Sequence, residues 1–582
     1  MASTLILLTI GLPWLGALLV WWIGDERPEA QNRIAVGFAV AAGVVALLLL
    51  PQASPDVVVR WPVGGIFGDF TFAADGLGVF LAVVATVIGS LAVLFSVDYM
   101  RGEAQLGRYY ALVLMFIGAM AGLVLTTSLL LLFLFWEMVA FCSYALISFY
   151  NDDPKAVAGG IKALVITQLG GVGLLFGALV SYAYLGSYEL SALLEGAGQL
   201  PGHVLAWVAY GFLIGAAAKS AQVPFHTWLP DAMEAPTPVS ALIHAATMVN
   251  AGVYLLARFY PAFADVPSWR EAVVTVGALS ALLAAVMAVV STDIKRVLAY
   301  STISQLGYMV YAVGAGAVFA SQFHLLSHAV FKALLFLGAG AVIHAVGTRD
   351  IRQMGALGRQ MPFVRTVFVI GAGALAGIPI LNGFWSKELI LEGGRESGMP
   401  LAYLAMLLGV AITALYTFRV VWLTFYGEAR SELHGHDAPM AMRVSLSVLA
   451  LGTVVSWLLA GPFGHLLEET LPHHHLHILT TGGLIVKVLA DPMTWLVLLI
   501  TAIGLAAWQW RERLTAVSRG LQWLVPVAEE SFGFEPINRG AVRLTRWTAD
   551  VVRTTQTGQL SWNVVGILLG VIVVLTILSR GA

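Results

Sequence analysis

Charge is what this chain has least of. Charged residues make up 11% of its 582 residues and hydrophobic residues 59%, whereas a soluble globular domain carries roughly 25% charged residues. The mean hydropathy is +0.85. Apolar runs recur along the whole length, and many are long enough to cross a hydrocarbon core of about 30 Å. The composition therefore predicts an all-α polytopic membrane protein.

Cysteine is almost absent as well, since Cys142 is the single one. One thiol excludes a disulfide framework, a thiolate-ligated iron–sulfur cluster and a CxxC redox pair. The sequence also lacks a GxGxxG segment after a strand and a GxxxxGK[ST] segment, so neither a dinucleotide site nor an ATP site is predicted. We expect no cofactor, no metal centre and no nucleic-acid partner, so energy for any work must come from other proteins.

The apolar segments predict about sixteen membrane spans. The first, Leu5 to Ile23, is expected to be a retained helix, because it lacks the basic leader of a signal peptide. Alternating apolar residues and glycines between Val57 and Phe72 predict a short hairpin outside the membrane. The predicted spans lie near 3–24, 34–51, 76–98, 109–125, 127–149, 160–185, 203–222, 238–259, 270–291, 297–317, 321–346, 363–394, 400–426, 444–461, 491–510 and 562–579.

The basic residues of the loops predict the orientation. One side of the predicted membrane carries little beyond Arg60, Arg270 and Arg395. Because short cytoplasmic loops are rich in lysine and arginine, the other side is predicted to be cytoplasmic and both termini to lie outside. The basic residues of that side are Arg27, Arg33, Arg101, Arg108, Lys155, Lys295, Arg296, Arg349, Arg352, Arg359, Arg430, Arg511 and Arg513.

Two predicted spans are interrupted in a similar way. The seventh ends in the polar stretch from Lys219 to Pro224, and the twelfth is interrupted at Gly377-Ile378-Pro379 and resumes before Lys387. Interrupted helices in corresponding places of two halves indicate an inverted repeat with ion sites at the interruptions. The predicted divisions are 1–107 (N-terminal helices and extracytoplasmic hairpin), 108–262 and 263–427 (the two repeats), 428–510 (additional helices), 511–560 (an amphipathic segment) and 561–582 (a last span).

The amphipathic segment is too polar to span a membrane. Its second half places charged residues on one helical face and apolar residues on the other, which predicts a helix lying along a membrane or protein surface. The charged face holds Arg539, Arg543, Arg546, Asp550 and Arg553, and the apolar face holds Ile537, Leu544, Val551 and Val552.

Ionisable residues within the apolar runs are the candidate functional residues. The chain has seven lysines against twenty-four arginines, and Lys219, Lys332, Lys387 and Glu137 lie in or beside apolar runs. A charge at the bilayer centre costs roughly 3 kcal/mol, so such residues usually mark an ion pathway. A desolvated lysine can lose its proton, whereas arginine stays protonated. The pattern predicts proton transfer. Two alternatives stay open: the Glu137 carboxyl could only hydrogen-bond a neighbouring helix, and the lysines could extend their ammonium groups to the membrane interface.

Three histidines extend this set. His324 and His328 share one helical face with Lys332, at spacings of four residues, and His244 lies in another apolar span. Imidazole accepts and donates protons near neutral pH, so a proton path is favoured. A metal site is disfavoured, because no carboxylate or cysteine lies nearby. Lys295 is interpreted first as a loop anchor. A histidine-rich loop could chelate a metal but is more typical of a solvated loop; it holds His473, His474, His475 and His477.

Four segments resemble the antiporter-like subunits of respiratory complex I and of Mrp-type cation/proton antiporters. They are WLPDAMEAPTPVSALIHAATMVNAGVYLLAR, TDIKRVLAYSTISQLGYM, HLLSHAVFKALLFLGAGAVIHAVG and GIPILNGFWSKELIL. The resemblance covers roughly residues 60–430. The tail, with SFGFEPINRG and QTGQLSWNVVGILLG, is similar to L subunits of NADH–quinone oxidoreductase, in which a lateral helix runs along neighbouring pumping subunits.

The resemblance implies two inverted five-helix bundles in the plasma membrane, other membrane subunits as partners, and protons or sodium ions as the transported species. It also implies roles for particular residues. Glu137 matches the essential glutamate of the fifth helix, Lys219 its partner on the broken seventh, Lys332 the central lysine and Lys387 the terminal one. In the same way, His244, His324 and His328 match histidines of the polar axis that connects these residues in the family.

The sixth predicted span departs from this pattern. Many L subunits carry an arginine and an aspartate there, whereas residues 165–171 hold no charge, which is closer to the A subunit of Mrp antiporters. We therefore favour a proton-translocating, L-subunit-like protein of a complex I-type NADH–quinone oxidoreductase without a redox site of its own. The large subunit of an Mrp-type sodium/proton antiporter, a subunit of a membrane-bound hydrogenase-type complex and a non-pumping scaffold stay open.

Overall fold

The computed structural model describes residues 1–555, apart from 433, 434, 472, 475 and 477, together with residues 568 and 569. The chain divides into two compact units, Met1–Gln522 and Trp523–Ala582. The predicted last span, 561–582, lies outside the described residues except for 568 and 569.

The first unit begins with helices around a short hairpin. The strands are antiparallel and pair Trp61 with Phe70, so the predicted hairpin is present. The side chain of Asp75 then caps the third helix by accepting a hydrogen bond from the amide of Gly78 at 2.9 Å. The elements are α1 (Ala2–Ile23), α2 (Pro28–Leu49), β1 (Ser54–Trp61), β2 (Phe70–Ala74), α3 (Gly76–Tyr99) and α4 (Leu106–Leu125).

The next helices include the first interruption. Helix formation stops at Lys219, and Pro224 cannot continue it because proline lacks an amide hydrogen. After the interruption, the indole of Trp228 donates to the carbonyl oxygen of Ala218 at 3.0 Å, which satisfies a carbonyl at the helix end. The elements are α5 (Leu129–Ile147), α6 (Pro154–Leu185), α7 (Leu190–Gly196), α8 (Gly202–Lys219), α9 (Trp228–Asp231), α10 (Thr237–Ala241), a π-helical turn (Leu242–Ala246) and α11 (Asn250–Arg258).

The second interruption follows in the next group of helices. The left-handed residue Gly377, with φ of 82°, ends one half-helix, and the next half begins at Asn382. The predicted interruption of this span is therefore present. The elements are α12 (Tyr260–Phe263), α13 (Trp269–Val290), α14 (Ile294–Gly314), α15 (Val318–Val346), α16 (Pro362–Ala376), α17 (Asn382–Arg395) and α18 (Pro400–Phe425).

Further helices complete the described residues. In the first unit these are α19 (Met440–Val455), α20 (Ala460–Thr470), α21 (Thr481–Ala490), α22 (Pro492–Gln509) and α23 (Thr515–Gly520). The second unit contains α24 (Leu524–Glu529) and α25 (Phe534–Thr555). Short 3-10 helices occupy Leu50–Gln52, Gly65–Phe67, Ala197–Gln199, Ala232–Glu234, Leu357–Arg359, Ser456–Leu459 and Ser531–Gly533.

The described residues contain thirteen helices that are long and apolar enough to cross a membrane. All thirteen coincide with predicted spans, but the predicted count of sixteen is not confirmed. Helix α14 lies at the tenth predicted span without being one of the thirteen, and the twelfth consists of the two shorter helices α16 and α17. The sixteenth lies outside the described residues apart from 568 and 569.

A buried ion pair ties the start of α3 to the end of α11. Arg258 Nη2 lies 2.7 Å from Asp75 Oδ2, and both side chains are buried. Arg258 also donates to the hydroxyl of Tyr254, which itself donates to the carbonyl oxygen of Val124. Sequence reasoning did not single out this pair, because its members are 183 residues apart.

We expect Asp75→Asn to destabilise the protein by about 3 to 5 kcal/mol, because it leaves the buried guanidinium of Arg258 without its charged partner. The asparagine oxygen can still cap α3, so the variant removes the negative charge and keeps the helix cap. Asp69→Asn is the control, because Asp69 forms a more exposed pair with Arg60 at 3.8 Å that contributes about 0 to 1 kcal/mol. Thermal unfolding of the detergent-purified protein measures both, and equal midpoints for the two variants would contradict this role.

Candidate functional site

Glu137 and Lys219 lie next to each other at the first interruption. Lys219 is completely buried at the end of α8, and its Nζ donates to the carbonyl oxygen of Trp136 on α5 at 2.9 Å. The same ammonium lies 5.1 Å from the centre of the Trp136 ring. Lys219 is the charge that acts on the Glu137 carboxylate, yet its hydrogen bond goes to the neighbouring main chain. The predicted pair is thus brought together without a direct ion pair.

The carboxylate of Glu137 is held in an unusual setting. Residue 137 as a whole is partly exposed, but both of its carboxylate oxygens are buried and have no hydrogen-bond partner among the described residues. Helix α6 packs tightly here, since a Cβ on Gly171 would lie 2.4 Å from Glu137 Oε1. Glycine at this position therefore makes the space that the carboxylate occupies.

Lys332 lies on α15, which packs against α14, α16 and α17. Its side chain is completely buried on α15, and its Nζ donates to the carbonyl oxygen of Leu298, at 3.2 Å, and to the hydroxyl of Ser301, both on α14. His244, in the π-helical turn, stacks on Phe336 of the same helix α15, with ring centres 5.1 Å apart. Both ring nitrogens of His244 lack a hydrogen-bond partner among the described residues. A π-helical turn inside an α-helix often marks a functional site.

His324 and His328 continue from Lys332 along the buried face of α15. Their rings lie 6.4 Å apart. One ring nitrogen of His324 lies 2.9 Å from the hydroxyl of Ser386 on α17, and the other lies 3.2 Å from the side-chain oxygen of Gln305 on α14. Within the described part of the chain, neither ring nitrogen of His328 has a hydrogen-bond partner. The histidine stripe therefore leads from Lys332 to the second interruption.

Lys387 stands on α17, directly after Ser386. It is buried, with 4% of its surface exposed, and its Nζ donates to the carbonyl oxygen of Leu375 at the end of α16. The ammonium also lies 5.9 Å from the centre of the Tyr308 ring. The adjacent Glu388 accepts a hydrogen bond from the hydroxyl of Thr494 at 3.2 Å. Burial disfavours the alternative that Lys387 extends to the membrane interface.

Lys219 and His244 are linked only through hydrogen bonds made by residues next to them. Among the described residues no hydrogen bond joins Lys219 to His244. Ser220, next to Lys219, donates to the carbonyl oxygen of Val249, and Asn250 donates to the carbonyl oxygen of Ala245, next to His244. Other buried side chains of the described residues also have a polar atom without a hydrogen-bond partner, namely those of Ser240, Asn250, Ser304, Gln305, Gln322, Ser327 and Asn382.

Sequence reasoning missed several members of the site. Lys295 was interpreted as a loop anchor, but it is buried, with 3% exposed, and donates to the carbonyl oxygen of Ala235 at 2.6 Å. Ser220, Asn250 and Gln305 were not singled out. The signal that could have found them is the same one that found the lysines, namely a polar residue in an otherwise apolar helix.

The histidine-rich loop is described only in part, because His475 and His477 lie outside the described residues. His473 Nε2 lies 3.9 Å from Glu195 Oε1, and His474 Nε2 lies 2.9 Å from the carbonyl oxygen of Ala257. Where the structure describes the chain, no group of three or more histidine, cysteine, aspartate or glutamate residues could hold a metal ion.

Buried lysines, histidines and a glutamate at the interruptions of membrane helices define a class of protein, namely polytopic membrane subunits that handle ions. Comparison with known proteins agrees with this class. Residues 126–413 match the family described as NADH:quinone oxidoreductase/Mrp antiporter, TM. Residues 61–110 match the N-terminus of NADH-ubiquinone oxidoreductase (complex I) chain 5.

Individual relatives extend the similarity to nearly the whole chain. NADH-quinone oxidoreductase subunit L of Escherichia coli (strain K12) is 37% identical over 98% of this chain and 98% of its own length. F(420)H(2) dehydrogenase subunit L of Methanosarcina mazei is 38% identical over 80% of this chain and 76% of its own. A chain in the structure of the Mrp complex from Dietzia sp. DQ12-45-1b is 28% identical, with a TM-score of 0.84; the match covers 100% of this chain and 63% of that one.

The chain therefore belongs to the antiporter-like family of membrane subunits found in NADH–quinone oxidoreductases and Mrp antiporters. The predicted family is confirmed by these matches. The roles predicted for Glu137, Lys219, Lys332, Lys387 and the three histidines stay predictions, since the similarity concerns the chain as a whole.

We expect Gly171→Ala to impair the site without unfolding the protein, because the added methyl group would displace the Glu137 carboxylate. Overpacking of this kind costs about 1 to 3 kcal/mol. Gly37→Ala on α2 is the control, since a Cβ there meets no atom within 4 Å. Ion transport by the assembled complex in vesicles is the measurement, and wild-type transport by the Gly171 variant would contradict the proposed role of the Glu137 carboxylate.

Proposed function

We propose that this protein is the proton-translocating L subunit of a complex I-type NADH–quinone oxidoreductase in the plasma membrane. The observation that carries the proposal is the row of buried ionisable residues at and between two interrupted helices, in a chain matching a named L subunit over 98% of both lengths. Glu137 and Lys219 act as a coupled switch, Lys332 as the central relay and Lys387 as the exit group. His244, His324 and His328 carry protons between them.

The hydrogen bonds of the lysines support proton transfer over a purely structural role. Lys219, Lys332 and Lys387 each donate to a main-chain carbonyl oxygen. A carbonyl accepts a hydrogen bond from an ammonium and from a neutral amine alike, so the contact survives the loss of a proton. A carboxylate partner would instead stabilise the charged state, because ionised hydrogen bonds are the stronger ones.

The unpaired polar atoms support a route between the relay groups. Buried polar groups in proteins are nearly always hydrogen-bonded to protein or to ordered water. His244, His328 and Asn250 each have a buried atom without a partner among the described residues. His328 shares the helical face of Lys332, and Asn250 donates to the carbonyl oxygen of Ala245, next to His244. Internal water bound to these atoms would complete a proton path.

The proposal includes neighbouring membrane subunits as partners. Helix α25 exposes an apolar face, with Ile537, Leu544 and Trp547 each more than 60% exposed, and its charged residues lie opposite. In the proposed function, this face packs along other antiporter-like subunits, and the energy of quinone reduction reaches this chain through those partners.

A second candidate is the large subunit of an Mrp-type sodium/proton antiporter. The similarity in fold to the Dietzia Mrp complex, which extends over all of this chain, favours it, as does the lack of charge in residues 165–171 of α6. The two candidates differ in energy source. Transport driven by NADH oxidation supports the first, and transport that needs only an ion gradient supports the second.

Lys219→Ala should lower NADH-driven proton pumping by about tenfold or more, because the coupled switch loses one partner. The complex should still assemble, since the small residues around the site remain. Lys155→Ala is the matched control, because Lys155 is exposed in the first turn of α6. Fluorescence quenching by pumped protons in membrane vesicles, with NADH oxidation recorded in parallel, measures the effect. Normal pumping by an assembled Lys219 variant would support a scaffold role instead.

Leu544→Gln should weaken attachment of α25 to its neighbours by about ten- to a hundredfold, because burying a leucine contributes about 1.5 to 3 kcal/mol. Arg546→Gln, on the opposite face of the same helix, should have little effect. Retention of neighbouring subunits during detergent purification, followed by native electrophoresis, distinguishes the two variants. Equal retention would show that the apolar face is not the contact.

A further inference from the structure

An apolar groove runs over helix α18, between α16 and α22. Helix α18 packs against both of these helices. The groove has a volume of about 290 Å³, close to the roughly 300 Å³ of the smaller ligand sites in proteins. Its walls include Val369 of α16, Phe418 of α18 and Leu505 of α22, and none of the described residues that line it is charged. The groove therefore suits a hydrocarbon chain.

The groove opens on a surface that faces the surroundings of the helices. Val369 and Tyr426, which line it, are 37% and 39% exposed. Helices α18 and α22 are long and apolar enough to cross a membrane, and both have large apolar side chains that are at least 50% exposed, namely Leu404, Leu408 and Ile503. In a membrane such side chains lie against lipid or against another membrane helix. A membrane component can therefore enter the groove from the side.

Aromatic side chains mark one end of the groove. Trp422 and Tyr426 line it near the end of α18, with ring centres 6.0 Å apart. Trp508 lies in the last turn of the neighbouring helix α22. Tryptophan and tyrosine are enriched at the level of the lipid headgroups. We therefore place this end of the groove at the membrane surface that the loop charges predict to be cytoplasmic.

Arg430 lies at the same end of the groove as Trp422. A Cβ on Gly427 would lie 3.4 Å from Trp422 Nε1 and 3.9 Å from Arg430 Nη2, so these two donors are close to one point. Among the described residues, the Arg430 guanidinium donates to the main-chain carbonyl oxygens of Ile351 and Leu423 and to no carboxylate. Its positive charge is therefore available to an anion at the mouth of the groove.

Arg511 brings a second positive charge to this place. Its guanidinium lies 5.0 Å from the centre of the Trp508 ring. Burial lowers the pKa of Arg430, and the charge of Arg511 lowers it further, which shows that the two cations are near each other. Arg511 also has an exposed carboxylate partner, Glu512, at 3.5 Å. Two neighbouring guanidinium groups repel each other, and an anion bound between them would relieve the repulsion.

We propose that the groove binds one acyl chain of an anionic phospholipid, whose phosphate lies against Arg430 and Arg511. The apolar walls alone would not select a lipid, because an acyl chain gains little by leaving other acyl chains. Basic pockets between membrane helices on the cytoplasmic side do select anionic headgroups. A helix of a neighbouring subunit could fill the groove, but it would leave the two arginines without an anion. The inference does not depend on the proposed function, since lipid binding is measured without transport.

Photolabelling tests the site in the purified complex, reconstituted into lipid nanodiscs. The probe is phosphatidylglycerol with a diazirine at the end of one acyl chain, and phosphatidylcholine with the same group is the comparison. We expect the anionic probe to label peptides of α16 or α18 that line the groove about tenfold more strongly than the zwitterionic probe. Equal labelling by the two probes would mean that the groove holds bulk lipid, and no labelling would mean that another helix covers it. Either result overturns the proposal.

The double variant Arg430→Gln and Arg511→Gln tests the headgroup contact. Labelling by phosphatidylglycerol should fall by about tenfold, because two positive charges near the membrane surface are lost, while labelling by phosphatidylcholine stays unchanged. The matched control is Arg27→Gln and Arg33→Gln, which removes two exposed arginines from the same predicted side of the membrane. A double variant at Arg430 and Arg511 that keeps the wild-type preference for the anionic probe would contradict the contact.

Val369→Trp tests the acyl-chain site separately. The larger side chain fills the open side of the groove, so labelling of the groove peptides by both probes should fall severalfold. Val448→Trp is the control, because Val448 is 48% exposed on α19 and does not line the groove. If the double arginine variant does not assemble, Val369→Trp and the salt dependence of wild-type labelling decide, because salt screens exposed charges. Labelling that responds to neither change would overturn the site.

Discussion

The cost of burying an ammonium group in an apolar interior is the constraint on which this protein is built. Four lysines are almost fully buried, and each is held by a main-chain carbonyl oxygen instead of a carboxylate: Lys219, Lys295, Lys332 and Lys387. The buried arginine Arg258 is held differently, by the carboxylate of Asp75. A carboxylate fixes the charge of a permanent cation, whereas a neutral acceptor leaves a lysine free to change its protonation state.

The second interruption makes one of these carbonyls available, that of Leu375. Within a continuous helix every carbonyl is paired four residues on, and unpaired backbone groups are tolerated at membrane depth only inside protein. At the second interruption α16 ends at Ala376, and Lys387 bonds to the carbonyl of Leu375 in its last turn, where the helix dipole also favours a cation. At the first, Lys219 itself ends α8 and so lies at the same kind of helix terminus.

Local patterns in the sequence predict much of this arrangement. Apolar runs give the spans, the residues around Pro224 and Pro379 give the interruptions, and the spacing of His324, His328 and Lys332 gives one buried stripe. Contacts between helices are not encoded locally. Gln305 meets His324 because α14 packs beside α15, and Lys295 is buried because the segment after α9 covers it. The π-helical turn at His244 was not predicted either; in the structure the hydroxyl of Thr247 donates to the carbonyl oxygen of Leu242, five residues earlier.

The two interruptions differ in how their carboxylates are held. At each, a carboxylate neighbours a lysine, but Glu388 receives a hydrogen bond from Thr494, whereas both oxygens of Glu137 are buried without a donor among the described residues. An ionised carboxylate without donors is costly in a low-dielectric interior, so the charge of Glu137 depends on the charge of Lys219. If Lys219 becomes neutral, Glu137 must take up a proton or gain another cation. In the proposed function, the first interruption is therefore the one whose charge state responds to an event in a neighbouring subunit, while the second passes a proton onward.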